Sequence, residues 1–140
     1  MLRRWGPAGL FLVCAAAAAV ASPNVVGITL FVVFATLAGV LSPLAFPRSI
    51  GAAEAQRRSA EDGKAIVYWR PGCPFCMRLR ATLGRTARRA HWVDIWRDPE
   101  GAAAVRAVAD GNETVPTVIL AGEPHVNPNP QWLRARLRAT

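Results

Sequence analysis

The sequence predicts an α/β domain, a four-stranded mixed sheet flanked by helices, preceded by two apolar helices. Three observations carry that prediction. From residue 63 onward, short runs rich in β-branched and aromatic residues alternate with helix-compatible stretches in the order strand, helix, strand, helix, strand, strand, helix. A strand–helix–strand crossover followed by a hairpin and a last helix implies a central mixed sheet with helices on its faces. Arg70-Pro71-Gly72-Cys73-Pro74-Phe75-Cys76 sits at the first strand-to-helix junction, and two cysteines three positions apart there suit dithiol–disulfide exchange. Residues 5–46 carry no charged side chain.

That uncharged stretch divides in two. Trp5–Ala21 is 17 residues, alanine-rich and moderately hydrophobic; Val25–Leu41 is 17 residues of mostly Val, Ile, Leu and Phe, and the run extends to Phe46. Seventeen helical residues span about 26 Å, just short of a hydrocarbon core of roughly 30 Å, so each segment is expected to cross with help from its flanks. Ser22-Pro23-Asn24 supplies the break between them. The expectation is a membrane anchor over 1–47, with transmembrane helices at 5–21 and 25–46, then a tether over 48–62. Arg3 and Arg4 before the first crossing, with Arg48, Arg57 and Arg58 after the second, would hold the C-terminal domain on the cytoplasmic side of the cytoplasmic membrane. Met-Leu-Arg-Arg, the apolar run and Ala19-Val20-Ala21 also fit a cleaved signal peptide, the second segment then acting as a stop-transfer helix.

In the remaining 63–140, Ala65–Trp69 reads as a buried strand and Met77–Leu83 as a helix closed by Gly84. Arg85–Ala90 is a basic connector and His91–Ile95 a second strand. Asp98 then serves as N-cap with Pro99 at the first helical position, for a helix that stops at Gly111-Asn112. Thr117–Leu120 is a strand, Ala121-Gly122-Glu123 a turn, and His125-Val126 a short strand. Asn129 and Pro130 open a last helix with Leu133 and Leu137 facing inward.

Composition narrows the function. A core this small excludes a large two-layer enzyme, and no glycine-rich phosphate loop is present. Three cysteines are too few for a disulfide scaffold, and Cys14 lies in the apolar N-terminus, which leaves Cys73 and Cys76 as the working pair. The net charge of +8 is nearly all arginine, Lys64 being the single lysine. No aromatic residues interleave with the arginines in the manner of a nucleic-acid surface, so no nucleic-acid partner is expected.

Cys73 is the candidate nucleophile, placed where unpaired backbone N–H groups and the helix dipole favour negative charge on sulfur. Cys76, one turn along, is the candidate resolving thiol. A zinc site is the competing reading, but zinc normally takes four ligands and only His91 and His125 remain to complete a set. His91 opens a strand and reads as structural, with no nearby acid to make a catalytic pair. Pro116, in Thr114-Val115-Pro116, reads by itself as a proline at the start of a strand.

Trp69–Cys76, Asp94–Glu100 and Gly111–Thr117 together resemble the glutaredoxins, especially their actinobacterial mycoredoxin branch, over roughly residues 63–140. The resemblance implies a thioredoxin-like fold, a cis Val115–Pro116 bond, and a low-molecular-weight thiol co-substrate with no tightly bound cofactor or metal. It implies that Arg70 and Phe75 line the thiol's approach, that Thr114 flanks it, and that the Val115 backbone pairs with it beside Pro116. Glutathione-using relatives carry a Gly-Gly-acid grip after the third strand, where this chain has Gly122-Glu123-Pro124-His125-Val126-Asn127-Pro128. Mycothiol is therefore expected in preference to glutathione, and protein mixed disulfides as partners. The two apolar segments depart from the soluble members. The alternatives are an extracytoplasmic thiol oxidant or isomerase, and an iron–sulfur or zinc binding module.

Overall fold

The computed structural model describes residues 2–41 and 47–139. The chain forms two compact units, Met1–Phe46 and Pro47–Thr140.

The first unit is a helical hairpin, α1 (Leu2–Ala21) and α2 (Val25–Leu41). Asn24 opens α2, its Oδ1 accepting from the backbone N–H of Val26 (3.0 Å) and Gly27 (3.2 Å). Small residues let the helices approach: Ala15 and Ala38 are buried, and Phe11 stacks on Phe34 at 6.1 Å. The two helices therefore form where the sequence puts them, but the expected membrane crossings do not follow. Among the described residues no helix is long and apolar enough to span a membrane. At 17 residues α2 reaches only about 26 Å. The 20 residues of α1 include Arg3 and Arg4 in the first turn, which lower its hydropathy. The extension of the second segment over 42–46 lies outside the described residues. The lack of a spanning helix among the described residues overturns the expected two transmembrane helices, the membrane partner and the location on the cytoplasmic membrane with the domain facing the cytoplasm.

The second unit holds the sheet. Strands β1 (Ile66–Trp69), β2 (His91–Asp94), β3 (Thr117–Leu120) and β4 (Glu123–Val126) lie in the order β2-β1-β3-β4. β1 runs parallel to β2 and antiparallel to β3, and β3 pairs antiparallel with β4. The four-stranded mixed sheet of the sequence reading is thus present, with the thioredoxin-like topology. All four residues of β1 are buried, as a central strand covered on both faces requires. Helices α4 (Pro74–Leu83) and α6 (Pro130–Ala139) pack together with a 3-10 segment, Gly84–Arg89, while α3 (Ala52–Asp62) packs with α5 (Pro99–Val108). Leu79, Leu83, Leu133 and Leu137 fill the core on the first side, Ala55 and Val105 on the second. Gly101 of α5 lies against β2, since a Cβ there would meet Val93 Cγ1 at 2.8 Å.

The stretch read as a tether contains α3 and adds to the sheet edge. Ser49 bridges to Trp92 in parallel, and the Ile50 N–H donates to the Trp92 carbonyl at 2.9 Å. Trp69 Nε1 donates to Ser49 Oγ at 3.0 Å. Asp98 does double duty: Oδ1 accepts from the Gly101 N–H of α5 (3.0 Å) and Oδ2 from the Ala52 N–H that opens α3 (2.6 Å). The basic connector over 85–90 is mostly the 3-10 segment.

Candidate active site

The chain leaves β1 at Trp69, turns through Pro71-Gly72, and enters α4 at Pro74 with Cys73 as N-cap. Gly72 has φ of +77°, a conformation that only glycine adopts without strain, which lets two residues reverse the chain into the helix. Pro74 fits the first helical position because its missing N–H has no intrahelical partner. Leu79 and Leu83 anchor the inward face of α4, so the position of Cys73 is set by a packed helix.

The Cys73 sulfur sits where a capping oxygen usually sits. It accepts the Cys76 backbone N–H at 3.3 Å and its thiol donates to the Val115 carbonyl at 3.4 Å. Both cysteines are free thiols. Cys73 retains 5% exposure and Cys76 none, so an incoming disulfide meets Cys73 first. Burial, followed by the hydrogen bond with Cys73, pushes the Cys76 thiol well above the ordinary cysteine range. Cys76 is therefore a protonated thiol at neutral pH. Brief alkylation of the reduced full chain with iodoacetamide near neutral pH should mark Cys73 well ahead of Cys76, as read by peptide mass mapping. Comparable labelling of the two would refute this asymmetry.

Across from Cys73 the loop before β3 carries a cis Val115–Pro116 bond. Thr117 Oγ1 donates to the Thr114 carbonyl (2.7 Å), and the Asn127 N–H donates to the Pro116 carbonyl (2.8 Å), which ties this loop to the end of β4. A groove of about 440 Å³ opens over the sulfur, lined among others by Arg70, Phe75, Thr114 and Val115. That size suits a small ligand. Of the residues singled out from sequence, these four gather around Cys73. Pro116 stands behind Val115 and is not in the groove lining, and Cys76 lies beneath.

Asn112, Glu113 and Asn127 also line the groove and were not singled out as binding residues. Asn112 and Glu113 directly precede Thr114, so their signal was adjacency. Asn127 comes from the far side of the β3–β4 hairpin, with φ of +47°, within the Gly122–Pro128 stretch that stands against the glutathione grip of relatives. Glu113 is ion-paired with Arg106 at 2.6 Å. The Arg70 guanidinium lies 6.0 Å from the ring of Trp96, which is 53% exposed, whereas Trp69 belongs to the core. The two histidines stand elsewhere. His125 packs on Trp132 at 4.7 Å, and His91 Nε2 meets Asp62 at 3.1 Å. This corrects the reading of His91 as lacking an acid: Asp62 arrives from α3, far away in sequence. Among the described residues no cluster of His, Cys, Asp and Glu could hold a metal ion.

A sheet of this topology, with a dithiol where its central strand hands over to a helix, is that of a thioredoxin-like thiol–disulfide oxidoreductase. The chain belongs to the glutaredoxin family, whose profile matches residues 65–126. Two proteins from Mycobacterium tuberculosis, strains CDC 1551 / Oshkosh and H37Rv, each named "putative glutaredoxin", are 38% identical to it over 74 residues. Those alignments cover 51% of this chain and 86% of each relative. Family membership carries with it a low-molecular-weight thiol as co-substrate and protein mixed disulfides as partners.

Proposed function

We propose that the chain reduces mixed disulfides between protein cysteines and a low-molecular-weight thiol of the mycothiol type, with Cys73 as nucleophile and Cys76 as resolving thiol. The observation that carries this reading is the Cys73 sulfur, capped by the Cys76 N–H at 3.3 Å at the floor of a groove sized for a small thiol. The Cys73 thiolate attacks the carrier's sulfur. The old S–S bond breaks, the protein thiolate leaves and takes up a proton, and a Cys73–carrier disulfide forms. A second carrier thiol then attacks that disulfide, giving the carrier's symmetrical disulfide and free Cys73. Alternatively Cys76, deprotonated as it attacks, closes a Cys73–Cys76 disulfide and expels the carrier. The N–H bond to Cys73 is the kind of interaction that an anionic sulfur uses best. Arg70, Phe75, Thr114 and the Val115 backbone, with Pro116 behind it, are the proposed contacts for the carrier.

The preference for mycothiol over glutathione is supported by the path of β4. Glu123 lies at the turn end of this strand, four residues from Asn127. That is roughly 13 Å from the groove at about 3.3 Å per residue. No acid follows Glu123 in the sequence, so the end of β4 that reaches the groove offers no carboxylate for a glutathione grip. The acid that does line the groove, Glu113, is already paired with Arg106.

The full chain is expected to reduce a mycothiol mixed disulfide faster than the glutathione mixed disulfide of the same protein. Loss of one charge-assisted hydrogen bond, about 1.5–3 kcal/mol, corresponds to roughly ten- to a hundredfold. The measurement is turnover with each carrier, its matching reductase and NADPH. Equal or faster turnover with glutathione would defeat the mycothiol assignment. Absence of turnover with both carriers would defeat the whole reading.

A further inference from the structure

α4, the 3-10 segment and α6 pack on one another, and this single layer carries half of the chain's arginines. Arg78 and Arg80 come from α4, Arg85, Arg88 and Arg89 from the 3-10 segment, and three more from α6. No Asp or Glu occurs between Asp62 and Asp94 or after Glu123, so the layer has no acid of its own. Among the described residues, no carboxylate pairs with any of the eight. Their like charges press on one another: burial first, and then the charge of Arg88, lower the pKa of Arg80. The Nε atoms of Arg80 and Arg134 are buried without a hydrogen-bond partner. Arg89 spends its guanidinium on the last carbonyls of α6, those of Leu137 and Arg138, both at 3.3 Å. A surface of one sign with so little internal compensation attracts anions strongly.

We propose that this arginine layer docks an acidic protein surface and so brings that protein's mixed disulfide to Cys73; the inference rests on the reading of Cys73 as acceptor of such disulfides. The layer and the reacting sulfur share α4. Cys73 caps it, and Arg78 follows five residues later, about 7.5 Å along the axis. A carboxylate-rich partner held there keeps its own cysteine within reach of the groove. Guanidinium groups match carboxylates in two-point geometry. A single-stranded nucleic acid fits less well, because no aromatic platform accompanies the arginines. Trp132 is packed against His125 and lies 5.7 Å from the Arg136 guanidinium, while exposed Phe75 and Trp96 stand near Cys73 and Arg70.

The test uses the full chain and two fluorescein-labelled, cysteine-free peptides of equal length, one rich in Asp and Glu, the other in Lys. Fluorescence anisotropy is followed at low and high salt. The acidic peptide should bind at low salt and weaken roughly tenfold or more at high salt, and the basic one should not bind. A combined Arg78→Glu, Arg85→Glu, Arg138→Glu variant should lose this binding yet keep the wild-type rate on a small mixed disulfide of cysteamine with the carrier thiol. If charge reversal prevents folding, Arg→Gln at the same three positions serves, with binding weakened several-fold. Equal binding of the two peptides, or unchanged binding in the variants, overturns the proposal. Tighter retention of a single-stranded RNA or of phosphatidylglycerol vesicles than of the acidic peptide also overturns it. Failure to turn over any mixed disulfide counts instead against the redox reading and leaves the anisotropy result standing by itself.

Discussion

Cys73→Ser is expected to bring mixed-disulfide reduction down to the uncatalysed background, whereas Cys76→Ser retains turnover within about one order of magnitude of the wild-type chain. The asymmetry follows from position. Cys73 holds the N-cap of α4, keeps a trace of exposure, and faces the groove; Cys76 has no exposure and lies under it. A hydroxyl at 73 can still accept the helix N–H, so the fold should survive, but oxygen in place of sulfur cannot form the intermediate disulfide. At 76, serine removes only the internal route of resolution and leaves the carrier thiol to clear Cys73. Initial rates of carrier-coupled reduction on one protein mixed disulfide, with circular dichroism to check folding, decide the matter. Equal loss in the two variants would establish an obligatory dithiol cycle and sink the monothiol route.

Asp98→Ala is expected to destabilise the folded domain by about 2–4 kcal/mol, more than the loss of an ordinary helix cap. One carboxylate closes the N-termini of two helices, accepting from Gly101 of α5 and Ala52 of α3. A single cap is worth about 1 kcal/mol, and a hydrogen bond to a charged group about 1.5–3 kcal/mol. Asp98→Asn should fall between alanine and wild type, because its amide presents one acceptor oxygen and one donor nitrogen to two N–H donors. Urea denaturation should show the midpoint falling in the order Asp, Asn, Ala. A midpoint for Ala indistinguishable from wild type would mean that water replaces both caps at no cost.

The same carboxylate shows how far local reading of this chain goes. Asp98 as cap of the helix opened by Pro99 was legible because the cap, the proline and the first-turn N–H lie within three residues. Its second partner, Ala52, is 46 residues away, and nothing in either neighbourhood announces the other. His91 and Asp62, 29 residues apart, were missed for the same reason. Length misled in the N-terminal unit. Uncharged composition located both helices, but crossing a bilayer needs sustained length and hydropathy together, and among the described residues no helix combines them.

By itself, the sequence determined the order of strands and helices after residue 63, the cysteine that opens the first of those helices, and the sulfur chemistry that two thiols one turn apart can perform. Each of those depends on interactions within a few residues, where φ preferences, capping hydrogen bonds and hydrophobic period act. Only the tertiary structure decided what stands around that sulfur. The Val115 carbonyl and the Asn127 wall reach it from segments far apart in sequence. Strand pairing in the order β2-β1-β3-β4 and burial of β1 on both faces bring them together, and those non-local contacts form only when the whole core does.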